Sequence, residues 1–123
     1  MSAVRYSPDG IPTVSVAEAL ERQGGESPAV LVDVRELDEL VELRPIGAAH
    51  VPMSELGTRF MELPKDQPLL MICRSGARSS RATAFLLQQG YTDVCNVEGG
   101  MLAWKRAAQP VRSGPLEPGE GEL

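Results

Sequence analysis

Two aliphatic runs, Ala29-Val30-Leu31-Val32-Asp33-Val34 and Pro68-Leu69-Leu70-Met71-Ile72, most narrowly limit how this chain can fold. Neither run alternates apolar with polar residues. A strand with one face in water shows that alternation, so each run reads as a strand covered on both faces, as in a parallel sheet with helices on either side. The segments around them carry helix signals. Ser15 with Glu18 three residues later is a capping-box pattern, opening a helix to about Gln23 that Gly24-Gly25 stops. Residues 36–43 predict a short helix, and residues 54–63 a helix with Ser54 as its N-cap. Residues 79–89 predict a helix ended by Gly90, and residues 100–108 a last helix ended by Pro110. Short strands are expected at 13–14, 48–51 and 92–97. Strands alternating with helices predict an α/β fold: a three-layer α/β sandwich, its mainly parallel central sheet flanked by helices.

The chain of 123 residues has room for one such domain. With one Trp, two Tyr and two Phe, its core must be aliphatic. Residues 1–12 hold turn signals, Ser7-Pro8-Asp9-Gly10 and Ile11-Pro12, and read as a lead-in. Residues 13–108 form the α/β body. Residues 109–123, with Pro110, Gly114, Pro115, Pro118, Gly119 and Gly121, predict a disordered, flexible tail. Twelve basic and seventeen acidic residues give a net charge of −5. A chain of that charge lacks the basic face that nucleic acid requires, so no nucleic-acid partner is expected. No segment approaches the ~20 apolar residues of a membrane span, and residues 1–14 have no signal-peptide core. A cytoplasmic protein with reduced thiols is the expectation. Two Cys and one His are too few for a four-ligand Cys/His zinc site, and no metal is expected.

The chemistry concentrates in Cys73-Arg74-Ser75-Gly76-Ala77-Arg78-Ser79, between the second aliphatic run and a helix. Ligands of α/β folds bind at the carboxyl ends of strands, where Cys73 lies. Gly76 permits a positive φ, and such a turn can aim successive N–H groups inward as an anion-binding nest. The following helix adds its positive end, and Arg74 and Arg78 add two permanent charges. All of these favour thiolate over thiol. The same groups suit an anionic substrate, because an Arg fork matches the oxygens of an oxyanion. An inert buried thiol is the ordinary reading of an isolated Cys; the position, the glycine and the two arginines together argue against it here. Cysteine phosphatases share the general design, but they place five residues between Cys and Arg. Here Arg78 comes one position earlier, and Ser79 takes the sixth place after Cys73. The tighter loop has less room for a phosphoryl group and suits a single sulfur atom.

Four motifs in this order resemble a single-domain rhodanese of the thiosulfate sulfurtransferase family. They are Leu31-Val32-Asp33-Val34-Arg35, Gly47-Ala48-Ala49-His50-Val51-Pro52, the loop from Cys73 to Ser79, and Val94 and Val97 followed by Gly99-Gly100 and Trp104. Leu43-Arg44-Pro45-Ile46 stands where the family often has Gly-His-Ile-Pro, so the His usual there is missing; His50 occupies the usual Asn place and inherits no role from it. The resemblance implies a two-step reaction. The Cys73 thiolate takes the outer sulfur of a thiosulfate-like anion, sulfite leaves, and the Cys73 persulfide passes its sulfur to cyanide or a thiol. Arg74 and Arg78 would bind the sulfonate, and the N–H groups of Ser75, Gly76, Ala77, Arg78 and Ser79 would stabilise the persulfide. No metal or organic cofactor is implied, and a protein persulfide is a further candidate donor. The alternative is a non-catalytic rhodanese-like binding or regulatory module, or a persulfide carrier; inactive modules commonly lose the Cys that this chain keeps.

Other residues have plainer readings. Asp33 and Arg35 are supporting candidates at a strand end, but an ion pair that fixes the next segment is the simpler role. His50 reads as structural, because a thiolate held by its loop needs no base. Cys95, mid-strand, reads as a buried thiol rather than a resolving partner for Cys73. Trp104 with Gly99-Gly100 reads as packing. Arg81 either widens the positive field or faces solvent.

Overall fold

The computed structural model describes residues 4–123, so the first three residues of the expected lead-in lie outside the described residues. A hairpin opens it, β1 (Arg5–Tyr6) and β2 (Pro12–Val14), followed by α1 (Val16–Gln23) and β3 (Val30–Asp33). Next come α2 (Leu37–Glu42), β4 (Arg44–Pro45), β5 (Ala49–His50) and α3 (Met53–Arg59), which runs into a 3-10 turn at Phe60–Glu62. The second half is β6 (Leu69–Ile72), α4 (Ala77–Gln88), β7 (Val94–Val97), α5 (Gly100–Arg106) and β8 (Val111–Arg112).

The main sheet has the order β1-β2-β7-β6-β3-β5. Every pairing in it is parallel except β1 with β2. This is the expected fold class. The two aliphatic runs became adjacent central strands, with Val32 opposite Met71. Successive side chains of a strand point to opposite faces, and both faces are apolar here. Leu31, Leu70 and Ile72 pack with Val16, Ala19 and Trp104 on one side, while Val32, Met71 and Cys73 pack with Leu56 and Leu86 on the other. The helices α1 and α5 therefore cover one face, and α3 and α4 the other. The capping box of α1 forms as expected: the Glu18 N–H donates to the Ser15 hydroxyl and the Ser15 N–H to the Glu18 carboxylate.

Three expectations change. The helix α3 starts at Met53 with Pro52 as its cap, because the Met53 N–H donates to the Val34 carbonyl as the chain leaves the sheet. Ser54 is not the cap; its hydroxyl donates to the Glu36 carboxylate at 2.8 Å. Helix α4 begins at Ala77, two residues early, which puts Arg78 in its first turn. The largest change is the tail. Residues expected to be disordered lie along the body: β8 pairs with β4, Gly114 N–H donates to Val41 O, and His50 N–H donates to Gly121 O, both at 2.7 Å. The physical reason is Arg44, which is 2% exposed. A buried guanidinium needs acceptors for its N–H groups. Leu40 O supplies one. The tail supplies the rest through Gly114 O at 2.6 Å, Pro115 O at 3.3 Å and both oxygens of Glu120 at 2.6 and 3.0 Å. Among the described residues no helix is long and apolar enough to cross a membrane.

Candidate active site

Cys73 is the first residue past β6, held between β3 and β7 at the carboxyl end of the parallel strands. The chain turns through Gly76, whose φ of +107° lies in the left-handed region that glycine tolerates. That turn aims the Gly76 N–H back at the Cys73 sulfur, 3.1 Å away. The Ser79 hydroxyl, one turn into α4, lies 3.2 Å from the same sulfur. The loop is clamped from behind by α5. Met101 N–H donates to Cys73 O at 2.8 Å and Leu102 N–H to Arg74 O at 3.1 Å. Gly100 makes the approach possible: a Cβ there would collide with the Cys73 carbonyl oxygen and stand 2.7 Å from that of Arg74. The Gly99-Gly100 pair is thus the close-packing device the sequence suggests, and Trp104 is buried, its indole N–H donating to Pro110 O at 3.1 Å.

Burial by itself pushes the Cys73 thiol up. The Ser79 hydroxyl and the N–H groups of Ser79, Gly76 and Ser75 outweigh it, and the thiol ends below its ordinary range. The α4 N-terminus points the same way. Cys73 is buried, 1% exposed.

The arginines behave differently from the simple expectation of two free cations. Arg74 is exposed and lines a hollow of about 190 Å³ with Arg35, Glu39, Leu102 and Lys105. Arg78 is committed: its two terminal nitrogens donate to the two oxygens of Glu39, each at 2.7 Å. This fork–fork pair holds the Glu39 carboxyl down to about 2, with the Arg78 hydrogen bonds as the main cause. The Glu36 N–H also donates to Glu39, at 3.0 Å. Ser75 and Ala77 are exposed, while Gly76 and Ser79 are buried. On the other flank, Ser75, Gly76, Ala77, Asn96 and Glu98 line a cleft of about 500 Å³ that reaches to Tyr6.

Asp33 and Arg35 form a buried bidentate pair, with Arg35 Nε 3.0 Å and Nη2 2.8 Å from the carboxylate, and Nη2 also donates to Leu43 O. They brace the segment after β3. His50 Nε2 hydrogen-bonds to Arg35 O at 2.7 Å, on the same brace. Cys95 sits on the opposite face of the sheet from Cys73, among Val14, Ile72 and Trp104, and burial raises its thiol. Arg81 is exposed.

The model of the rhodanese-like domain family matches residues 15–107. The chain belongs to this family. A sulfurtransferase of Allochromatium vinosum is 40% identical over 91 residues, covering 74% of this chain and 85% of its own. A thiosulfate sulfurtransferase of Glaesserella parasuis is 34% identical over 86 residues, covering 70% and 80%. Among solved structures, a rhodanese-related protein of Thermoplasma volcanium has 31% identity and a TM-score of 0.74, covering 81% of this chain and 96% of that one.

Within this rhodanese domain, sequence reasoning overlooked Glu39, Asn96 and Arg44. Glu39 and Asn96 reach the loop from residues 39 and 17 positions away in the chain. No local pattern marks such partners. The one available signal for Arg44 was its place in an otherwise apolar family motif.

Proposed function

We propose that this rhodanese is a sulfurtransferase that carries sulfane sulfur from a thiosulfate-like anion to a cyanide or thiol acceptor on Cys73. The observation that carries the reading is the donor set on the Cys73 sulfur: Gly76 N–H and Ser79 hydroxyl at 3.1 and 3.2 Å, in a loop with one residue fewer between Cys and Arg than in the cysteine phosphatases. The Cys73 thiolate attacks the outer sulfur of thiosulfate. A new S–S bond forms, the S–S bond of thiosulfate breaks, and sulfite leaves with the electron pair. The terminal sulfur of the resulting persulfide carries the negative charge and lies in the same field of loop N–H groups. Cyanide then takes that sulfur as thiocyanate and returns the thiolate. Arg74, exposed at the rim, meets the sulfonate, while Arg78, tied to Glu39, contributes field rather than a free fork. A protein persulfide is a second donor class that the open rim admits.

Intact mass after incubation with thiosulfate tests this. The expected result is a gain of one sulfur atom, reversed by cyanide and absent in Cys73→Ser. A folded protein that gains no sulfur refutes the reading, and Cys73-dependent turnover of a phosphate ester replaces it with the phosphatase one.

A further inference from the structure

The Ser79 hydroxyl has one proton and two acceptors within reach. Cys73 Sγ lies at 3.2 Å and Asn96 Oδ1 at 2.5 Å. The Asn96 amide cannot reverse its ends without bringing its oxygen against a carbonyl, because Nδ2 donates to Gly76 O at 3.2 Å. Asn96 is also held in place: its backbone sits mid-strand in β7, opposite Thr13 of β2 and Met71 of β6. All three groups are out of water, with Ser79 at 0% and Asn96 at 7% exposure.

We propose that Asn96 is a positioning residue for the nucleophile, competing with the Cys73 sulfur for the Ser79 proton and so keeping the thiolate basic. The proton count explains how. With Cys73 as the thiol, its S–H donates to Ser79 Oγ and the Ser79 O–H donates to Asn96 Oδ1, so every group is satisfied. With Cys73 as the thiolate, the Ser79 O–H is needed at the sulfur, and a buried amide oxygen loses its donor. Leaving such a group unpaired is unfavourable. Asn96 therefore opposes the donors of the loop. The consequence is kinetic, because the nucleophilicity of a thiolate falls as its acidity rises. When sulfur is attacked, the charge leaves Sγ, and the hydroxyl returns to Asn96. This last step rests on the sulfur-transfer reading; the effect on the thiol does not.

The charged groups around Cys73 are Arg74 and Arg78 from the loop and α4, Glu39 from α2, and the Asp33–Arg35 pair from β3. None of them contacts Asn96 through a hydrogen bond that would be lost with its side chain; the lost partners are Ser79 and Gly76 O. A purely structural role, steadying Gly76, predicts the opposite sign: a loosened Gly76 N–H would leave the thiolate less stable.

The test is the pH dependence of iodoacetamide alkylation in the Cys95→Ala background, so that one thiol reacts. Asn96→Ala is expected to move the midpoint down by about one pH unit, and to lower the limiting thiolate rate about threefold for a Brønsted slope of ~0.4–0.5. Asn96→Ser keeps a polar group in β7 but lacks the amide oxygen that faces Ser79 at 2.5 Å, and shows the same shift if the alanine variant does not fold. Ser79→Ala moves the midpoint up, and adding Asn96→Ala or Asn96→Ser to it changes nothing more. An upward shift or no shift with Asn96→Ala or Asn96→Ser in the presence of Ser79, or an equal shift without it, overturns the proposal. The assay uses no sulfur donor, so its outcome is independent of whether the protein transfers sulfur.

Discussion

Replacing Glu120 by Gln removes one charge from the contact that straps residues 111–122 to the body. Arg44, 3% exposed in its side chain, loses its ionic partner but keeps Leu40 O, Gly114 O and Pro115 O. Stripping one member from a fully buried pair costs about 3–5 kcal/mol, whereas an exposed pair contributes about 0–1 kcal/mol. The Glu120 side chain is 17% exposed and Gln retains one acceptor oxygen, which places Glu120→Gln at about 2 kcal/mol between those limits. For a domain of this size that is a fall in Tm of roughly 6–10 °C at neutral pH. The dependence on pH makes the test strict. The Arg44 hydrogen bonds hold the Glu120 carboxyl down to about 2, from an ordinary 4.5. A depressed carboxyl contributes stability above its unfolded value, and that contribution fades as pH falls from 4.5 toward 2. Protonated Glu resembles Gln, so the wild-type and variant melting curves should converge over that window and stay a constant distance apart above it. Thermal melts followed by circular dichroism at intervals from pH 3 to 8 measure the gap. A gap near zero at pH 7, or one that does not narrow in acid, refutes the idea that Glu120 anchors the tail through Arg44.

Glu39→Gln releases the Arg78 fork, and a severalfold lower KM for thiosulfate is expected in the cyanide assay; an unchanged or higher KM means that Arg78 does not reach the donor. Gly100→Ala forces a Cβ into the Cys73 and Arg74 carbonyls at a φ of +54°, and a loss of about 3 kcal/mol in urea unfolding is expected, within the range of severe single substitutions; a variant as stable as the parent would show that α5 does not clamp the loop.

The central sheet was legible because burial on both faces leaves a mark on contiguous residues: Leu31 and Val32 must both be apolar if helices cover both sides. Cys73, Gly76 and the helix behind them were legible for the same reason, since a strand–turn–helix is local. The packing of the tail was not legible. Its composition predicts disorder, and nothing in residues 109–123 reveals that Arg44 lacks acceptors. Arg78 was identified by its position but not by its state, because Glu39 lies 39 residues away in the chain.

The amino-acid order alone therefore settled the layered α/β architecture and the placing of Cys73 in a strand–turn–helix loop, both products of short-range pattern. Tertiary structure decided which charges around Cys73 are spent on partners and which acceptors face the Ser79 hydroxyl. Those depend on side chains brought within about 3 Å by the sheet, and hydrogen-bond strength falls too steeply with distance for anything short of the folded geometry to assign them.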